Sequence, residues 1–216
     1  MKPNNNTKQK VMDAACRLFF VNGYHGTSVR DIANKAAVNV SLINYYFKSK
    51  QGLLEAIVVF YYEEYLDLIE STLLEAEESS SIDKLKKIIE VIIQYKQGQH
   101  QFTCFIQREL SLDSTFVREM TVTYLAKENY LISEAFQAAL NGSGHTNGDK
   151  KFLYFQLKGM LNTPFVTPTA WQEQLSWDQS HRYFIAKYTR LIHRWIDHVI
   201  GTEWQHHKES TVSFLS

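Results

Sequence analysis

Five neighbouring side chains between residues 39 and 45 carry groups that can distinguish the bases of DNA. They are Asn39, Val40, Ser41, Asn44 and Tyr45. An asparagine amide can pair with adenine through two hydrogen bonds, a serine hydroxyl can meet either base type, and a valine can contact a thymine methyl group. A helix with a small polar outer face also suits the major groove, which admits a helix and presents donor and acceptor edges. We therefore expect these residues to lie on a DNA-reading helix.

A second group of side chains around this segment suits the DNA backbone rather than the bases. The candidate phosphate contacts are Thr27, Ser28, Arg30, Tyr46 and Lys50. Phosphate contacts set the register of a protein on the duplex but carry no sequence information. Lys50 is expected at the start of the next helix, where backbone N–H groups also favour an anion. For Tyr46, a half-buried core ring is the alternative interpretation.

The elements that would position these groups are two short helices, a tight turn and the start of a third helix, over residues 27–50. Ser28 precedes Asp31 by three residues, which is the spacing of a helix capping box. The apolar residues that share the buried face of the first helix are Val29, Ile32, Ala33 and Ala36. The second helix, about residues 40–46, directs Ile43 and Phe47 inward. This pattern predicts a helix-turn-helix with the second helix as the recognition helix.

Charge is unevenly divided along the chain. The 216 residues hold 23 Lys and Arg against 23 Asp and Glu, so the formal net charge is zero. Residues 1–50 nevertheless contain eight basic and two acidic side chains, and the remainder carries the compensating negative charge. A basic segment on an acidic remainder is typical of a protein that touches nucleic acid at one end. A chance surface bias is the alternative, but the basic segment coincides with the helix-turn-helix.

Composition predicts an all-helical globular protein of the cytoplasm. Long runs of helical periodicity and only three prolines favour helices throughout. The two cysteines, Cys16 and Cys104, do not make a disulfide framework, which fits a reducing compartment, and we expect both to be small core residues. The N-terminus is polar, so we expect no signal peptide. The most apolar stretch, residues 53–62, contains Glu55 and is too short to span a bilayer.

Helical spacing predicts the remaining elements. We expect a helix over residues 7–22 and a long helix over residues 49–77, which links the DNA-reading segment to the rest of the chain. Further helices are expected over residues 82–97, 101–112, from a cap at Asp113 or Ser114 to residue 140, 149–161 and 180–200. The composition of residues 141–148 predicts a loop. Pro164 and Pro168 predict an extended segment after residue 161.

Residues 7–54 resemble the DNA-binding domain of the TetR family of bacterial regulators. The matching residues include Ala14, Leu18, Phe19, Gly23, Tyr24, Thr27, Val29, Ile32, Ala33, Val38, Tyr46, Phe47, Lys50 and Leu53. The resemblance implies a TetR-like architecture with a helix-turn-helix domain over residues 1–48, a helical regulatory and dimerisation domain over residues 49–204, and a flexible tail over residues 205–216.

Two positions depart from the family pattern. Ala37 stands where the turn between the helices usually carries glycine, and if this residue needs a positive φ, alanine costs on the order of 1 kcal/mol. The helix after the recognition helix usually has an acidic residue near Gly52. Its absence leaves Ser49 as the expected cap of that helix.

The last two helices have apolar side chains on more than one side, and such helices need a second partner. In a TetR-like protein that partner is the same helix pair of another copy, so the resemblance implies a homodimer, and one well-covered core is the alternative. The expected interface residues are Phe152, Phe155, Phe184, Tyr188, Leu191 and Trp195. A helix-turn-helix dimer reads two half-sites about one DNA turn apart, ~34–36 Å, so we expect binding to palindromic double-stranded DNA.

The sequence lacks the common motifs of catalysis and metal binding. It contains no glycine-rich phosphate loop, no nucleophile elbow and no HExxH motif. His193 and His198 are five residues apart, which is a poor helical spacing for one metal ion. We therefore expect no enzymatic activity, no metal site and no cofactor.

The second domain has two possible functions. As a small-molecule sensor, it would hold a ligand in an aromatic pocket, and the ligand would move the long helix and release DNA. The candidate pocket residues are Phe102, Phe105, Phe116, Tyr124, Tyr130 and Phe136. The same aromatic side chains can instead fill a core. Alternatively, the domain binds another protein, and DNA places that event on the chromosome.

A further resemblance favours the protein-binding interpretation. The segments HQFTCFIQRELSLDSTFVREMTVTYLAKENY, FQLKGMLNTPFVTP and RLIHRWI are similar to TetR-type regulators of cell division in spore-forming bacilli. This resemblance implies a nucleoid-associated homodimer that acts on the tubulin-like division protein FtsZ during sporulation, without a cofactor. Two charged pairs, Arg108–Glu109 and Arg118–Glu119, form a candidate partner surface. An internal salt-bridge network is the alternative for these pairs.

Overall fold

The computed structural model describes residues 5–111, 115–166 and 181–201. Within these ranges the chain forms helices only, which confirms the all-α class. They are α1 Asn5–Asn22, α2 Val29–Ala36, α3 Val40–Phe47, α4 Lys50–Glu75, α5 Ser81–Gly98, α6 His100–Ser111, α7 Thr115–Ala139, α8 Asn147–Val166 and α9 His181–Gly201. We call α1 to α3 the head and α4 to α9 the body.

The head is a three-helix unit whose helix ends follow local sequence signals. Its core is formed by Val11, Ala15, Phe19, Ile32, Ile43 and Phe47. The predicted capping box of α2 is confirmed, because the Ser28 hydroxyl accepts from the Asp31 N–H while the Asp31 carboxylate accepts from the Ser28 N–H. The turn after α2 passes through Ala37 with φ 55° and ψ 46°, in the left-handed region. The turn therefore keeps a glycine-like conformation although the residue is alanine.

The long helix α4 joins the head to the body. Its predicted cap is confirmed, since the Ser49 hydroxyl accepts from the Gly52 N–H at 3.0 Å. α4 packs against α1 and α3 of the head and against α5 and α7 of the body. Its inward side chains are buried along most of its length: Leu53, Leu54, Ile57, Val58, Tyr61, Tyr62, Tyr65, Leu66 and Ile69. One continuous helix therefore has apolar contacts with both parts.

Aromatic side chains form part of the body core. Phe102, Phe105 and Phe136 are all buried, as the core interpretation expected. Tyr124 is partly buried and its ring stacks on that of Tyr62 at 5.2 Å. Tyr130 was expected in a pocket or a core, and both expectations are wrong, because its side chain points outward from α7 and is 63% exposed. The side chain of Phe116 lies outside the described residues.

A buried polar cluster lies where four helices of the body meet. The Glu128 carboxylate of α7 accepts from the Tyr65 hydroxyl of α4 at 2.7 Å and from the Lys158 ammonium of α8 at 3.1 Å. Lys96 of α5 lies 3.4 Å from the same carboxylate and donates to the Asn162 side-chain oxygen at 2.7 Å. Two ammonium groups therefore share one carboxylate inside the protein.

The expectation of an extended segment at Pro164 is wrong. α8 continues to Val166, and Pro164 is buried within its last turn. A proline inside a helix leaves the carbonyl four residues earlier without its N–H partner. Here that carbonyl belongs to Met160, and it accepts a 2.8 Å hydrogen bond from the Tyr188 hydroxyl of α9. A side chain from a neighbouring helix thus replaces the missing donor.

Several expectations concern parts of the chain outside the described ranges. These are the cap at Asp113 or Ser114, the effect of Pro168 and the tail over residues 205–216. The predicted loop at residues 141–148 is confirmed in outline, because α7 ends at Ala139 and α8 begins at Asn147. None of the helices in the described ranges combines the length and apolar character needed to cross a membrane.

Candidate nucleic-acid interface

The polar face of α3 points away from the protein. Ser41, Asn44 and Tyr45 are exposed, whereas Ile43 and Phe47 are buried against the rest of the head. The inward residues anchor α3 on the head, so the polar side chains of its other face point to solvent. Tyr45, the largest of them, is 64% exposed. α3 therefore has a solvent-facing surface of hydroxyl and amide groups.

Asn39 starts α3 rather than standing on its outer face. Its side-chain oxygen accepts from the Ser41 N–H at 2.9 Å, which is the hydrogen bond of a helix N-cap. The Ser41 hydroxyl donates to the same oxygen at 3.0 Å. These bonds fix the amide of Asn39 at the tip of the helix. Asn44, one turn further along the outer face, is the better placed amide for a two-bond contact with adenine.

The side chain of Thr27 is buried, although it was expected to contact phosphate. It is 1% exposed, and its hydroxyl donates to the Gly23 carbonyl at 2.9 Å. The buried hydroxyl cannot reach a phosphate, so that assignment is wrong for the side chain.

Ser28 and Arg30 are exposed and lie at the start of α2. Hydrogen bonds from the side chain and backbone of Ser28 lower the pKa of Asp31, so this capping carboxylate stays ionised.

Lys50 has partners inside the head. Its ammonium donates to the carbonyls of Tyr24 and Thr27 at 2.9 and 2.8 Å and lies 4.3 Å from the centre of the Tyr24 ring. These contacts tie the α1–α2 connection to the start of α4. Tyr46 is partly buried and its ring meets that of Tyr45 edge-on at 5.3 Å. Phosphate contacts by Lys50 and Tyr46 remain predictions.

The exposed charge of the head is mainly positive. The exposed basic residues are Lys8, Lys10, Arg17, Arg30, Lys35 and Lys48. Only Asp13 and Asp31 oppose them within the described part of the head. Basic side chains release counterions from DNA and supply the sequence-independent part of its binding. The polar face of α3 thus lies in an electrostatic setting that attracts a polyanion.

The chain is similar in sequence to known regulatory proteins. The sequence model of a family described as "Bacterial regulatory proteins, tetR family" matches residues 11–57, which span α1 to the first part of α4. A "Probable HTH-type transcriptional regulator YttP" of Bacillus subtilis (strain 168) is 35% identical over 196 residues, which are 91% of this chain and 95% of that protein. The chain belongs to the TetR family. It is a helix-turn-helix transcriptional regulator.

Other proteins are similar to this chain in sequence or in fold. A "Fatty acid metabolism regulator protein" of Bacillus subtilis (strain 168) is 25% identical over 142 residues, covering 64% of this chain and 72% of that protein. The fatty acid degradation regulator FadR from Bacillus halodurans has a similar fold, with a TM-score of 0.68 and 21% identity. That similarity covers 89% of this chain and 97% of FadR.

The expected dimer residues fall into two groups. Phe152, Phe155 and Leu191 are exposed, so their apolar side chains are available to a partner. Phe184, Tyr188 and Trp195 are partly buried within the chain. Tyr188 bonds to the Met160 carbonyl and Trp195 stacks on Phe136 at 6.4 Å, so these two side chains already stabilise the subunit.

The expected partner surface is divided. Arg118 and Glu119 are exposed on α7. Arg108 and Glu109 are only partly exposed, and the Arg108 guanidinium donates to the carbonyls of Phe19 and Phe20 in α1. An arginine that binds backbone carbonyls has no sequence signature, so sequence reasoning missed this contact.

Within the described ranges, no three His, Cys, Asp or Glu side chains cluster closely enough to hold a metal ion.

Proposed function

We propose that the chain forms a homodimer that reads palindromic chromosomal sites through α3 and regulates FtsZ-dependent cell division during sporulation. The observation that carries the DNA-reading part is the outward polar face of α3, formed by Ser41, Asn44 and Tyr45 above a buried apolar face. Val40 and Asn39 lie at the same end of the helix. Arg30 and Ser28 extend the contact to the DNA backbone, where they set the register.

Exposed apolar side chains support the homodimer. Phe152 and Phe155 on α8 and Leu191 on α9 are exposed, although large apolar side chains usually gain from burial. The resemblance to TetR-family regulators also implies a homodimer. In a twofold dimer the two recognition helices are related by symmetry, so a matching site is a palindrome.

Sequence similarity supports the role in cell division. The body segments described above are similar to RefZ, the TetR-type regulator of cell division in spore-forming bacilli. Arg118 and Glu119 are exposed charged side chains on α7 that a second protein could contact. Arg108 is less suitable as a partner residue, because its guanidinium bonds to the head.

Genome-wide DNA occupancy of the native protein tests this proposal. Tyr45→Ala should strongly reduce occupancy of the specific sites, because each mismatched base pair in a site costs about 1–3 kcal/mol and the lost contact occurs in both half-sites of the dimer. Tyr130→Ala is a matched control, since Tyr130 is 63% exposed and Tyr45 is 64% exposed, but Tyr130 lies on the body. Dispersed palindromes, several of them far from promoters, would support control of division. If occupancy survives Tyr45→Ala, the assignment of α3 as recognition helix is wrong.

The effect on FtsZ requires a separate measurement. Purified FtsZ assembly should change in the presence of the DNA-bound regulator, and Arg118→Ala or Glu119→Ala should weaken that change. Both variants should bind DNA and dimerise normally, because the substituted side chains are exposed and distant in sequence from α3. An FtsZ response that is equal for all three proteins would argue against this surface.

A ligand-responsive repressor is the second candidate function. It is favoured by an open groove of about 780 Å³ between α1, the α5–α6 junction and α9, whose lining includes Cys16, Arg17, Phe20, Gln97, His100 and Ile185. This volume is within the range of small-molecule sites. The names of two similar proteins refer to fatty acid regulation. Occupancy at one or two promoters, together with a ligand-dependent rise in melting temperature, would favour this candidate.

A further inference from the structure

We infer that Arg108 sets the angle at which the body holds the head, and thereby the spacing of the two DNA half-sites that the dimer accepts. The inference rests on the proposed palindrome-binding homodimer. It concerns a positioning residue, because Arg108 lies on the body and acts on DNA binding only through the orientation of α1.

The guanidinium of Arg108 binds two consecutive carbonyls at the end of α1. One terminal nitrogen, Nη2, donates to the Phe19 carbonyl at 3.0 Å, and the other, Nη1, donates to the Phe20 carbonyl at 3.2 Å. The last carbonyls of a helix carry the negative end of the helix dipole, and the Phe19 carbonyl also accepts from the Gly23 N–H at 3.0 Å. A planar cation with two parallel donors matches this site in charge and in shape.

These hydrogen bonds add directional contacts to the packing of α1 on α6. Phe105, three residues before Arg108 and on the same face of α6, stacks on Phe19 with ring centres 5.4 Å apart. Stacked rings and apolar side chains resist separation but tolerate sliding, because dispersion and hydrophobic forces are not directional. Two hydrogen bonds to successive carbonyls define both the position of α1 along α6 and its rotation.

The same end of α1 leads directly to the recognition helix. α1 ends at Asn22, and Gly23 follows with φ 72°. Lys50 then holds the carbonyls of Tyr24 and Thr27, immediately before the cap of α2 at Ser28. A rotation of α1 on α6 is therefore transmitted through a braced connection to α2 and α3.

The contact of α1 with α6 is a second attachment of the head, away from the covalent junction. The head joins the body covalently only through α4, which also packs against α1 and α3. α6 packs against α1 on one side and against α8 of the body on the other. Arg108 thus supplies a directional hydrogen-bonded bridge between the head and the body, at a distance from the α4 junction.

The test compares half-site spacing preferences of Arg108→Met and Lys87→Met. In vitro selection with the wild-type protein first defines a palindrome, and duplexes are then made with the half-sites moved apart or together in single base-pair steps. For wild type, one spacing should be strongly preferred. For Arg108→Met, discrimination between the best and the neighbouring spacings should fall roughly tenfold, or about 1.4 kcal/mol, while affinity for one isolated half-site is unchanged. Lys87→Met, which removes an exposed cation from α5 of the body, should behave like wild type.

Two further measurements separate the possible failures. Circular dichroism checks that each variant is folded, and light scattering checks that it is dimeric. If Arg108→Met is misfolded or monomeric, Arg108→Lys is used in its place. Lysine keeps the charge but not the fork, so its spacing discrimination should be intermediate. A wild-type spacing profile in a folded Arg108 variant would overturn the inference about Arg108 but would leave the proposed function standing. Failure of the wild-type protein to select any palindrome would overturn the proposed function and the inference with it.

Discussion

The Tyr65 hydroxyl of α4 donates a 2.7 Å hydrogen bond to the Glu128 carboxylate of α7. The same carboxylate faces Lys96 and Lys158, and the side chains of Lys96 and Glu128 are only 2% and 5% exposed. The long helix α4, which reaches the head, is thus hydrogen-bonded to a buried cluster that contains two ammonium groups and one carboxylate. The charge balance of this cluster therefore affects the stability of the helix packing around α4.

Glu128→Gln should strongly destabilise the protein. The substitution leaves two ammonium groups without their carboxylate, and removal of one member of a buried ion pair costs about 3–5 kcal/mol. Glu70→Gln is the matched control, because Glu70 pairs with Lys127 at 2.9 Å on the surface. That change should cost less than about 1 kcal/mol. Urea unfolding measures both, and equal losses would contradict the description of the cluster as buried.

The contribution of Glu128 should depend on pH. Burial by itself raises the pKa of this carboxyl, but Lys96, Lys158 and the Tyr65 hydroxyl outweigh burial and lower the pKa to about 2, against an ordinary value of 4.5. Below pH 4.5 the unfolded chain therefore binds a proton at Glu128 that the folded protein does not bind. This stabilisation is complete above the unfolded pKa and is lost as the pH falls towards 2.

A pH series of denaturant unfolding curves checks this sign. The difference in unfolding free energy between wild type and Glu128→Gln should be constant from about pH 6 to 7 and should narrow steadily below about pH 4.5. A difference that grows on acidification would mean that Glu128 is protonated in the folded protein.

Ala37→Gly should stabilise the head. Ala37 has φ 55°, where a Cβ atom is strained and glycine is not. Relief of this strain is partly offset by the greater entropy of glycine in the unfolded chain, so we expect a net gain of up to about 1 kcal/mol. Ala36→Gly, one residue earlier and inside α2, should instead destabilise by roughly 0.5–1 kcal/mol. Thermal unfolding measures both variants. A lower melting temperature for Ala37→Gly than for Ala36→Gly would contradict the left-handed conformation of Ala37.

Tyr188 and Pro164 should be energetically coupled. Tyr188→Phe removes the donor to the Met160 carbonyl, which Pro164 leaves without a helical N–H, and should cost about 1–3 kcal/mol. With Pro164→Ala, the new backbone N–H can bond to Met160, so the added cost of Tyr188→Phe should be much smaller. A double-mutant cycle from chemical denaturation measures this difference. Strictly additive effects would show that the hydroxyl does not replace the missing N–H.

Phe155→Glu should prevent dimerisation. Phe155 is 77% exposed, and a carboxylate in an apolar interface is costly unless it is paired. Light scattering should report a mass near that of one chain, and affinity for a palindrome should fall because two half-sites are no longer bound together. Leu74→Glu is the control, since Leu74 is 72% exposed near the end of α4. If both variants remain dimeric, the interface lies elsewhere.

Local patterns in the sequence were sufficient to predict the head. The capping box at Ser28, the cap at Ser49 and the outward polar face of α3 all involve residues at most a few positions apart. Helix geometry brings such residues together wherever the helix lies, so their spacing alone predicts the contact. The sequence also located the positive-φ position at Ala37, through the resemblance to a family that usually has glycine there.

Contacts between distant parts of the chain were decided only by the tertiary structure. Arg108 bonds to carbonyls 88 and 89 residues earlier, and Lys50 to carbonyls 23 and 26 residues earlier. Every residue has a carbonyl, so no residue type marks the acceptor, and helix packing alone brings it to the cation. The burial of Thr27, the Lys96–Glu128 pair and the replacement donor at Pro164 arise in the same way. The sequence by itself thus determined the helical class, the helices of the head with the outward polar face of α3, and the family, whereas packing decided which polar groups hold the head to the body.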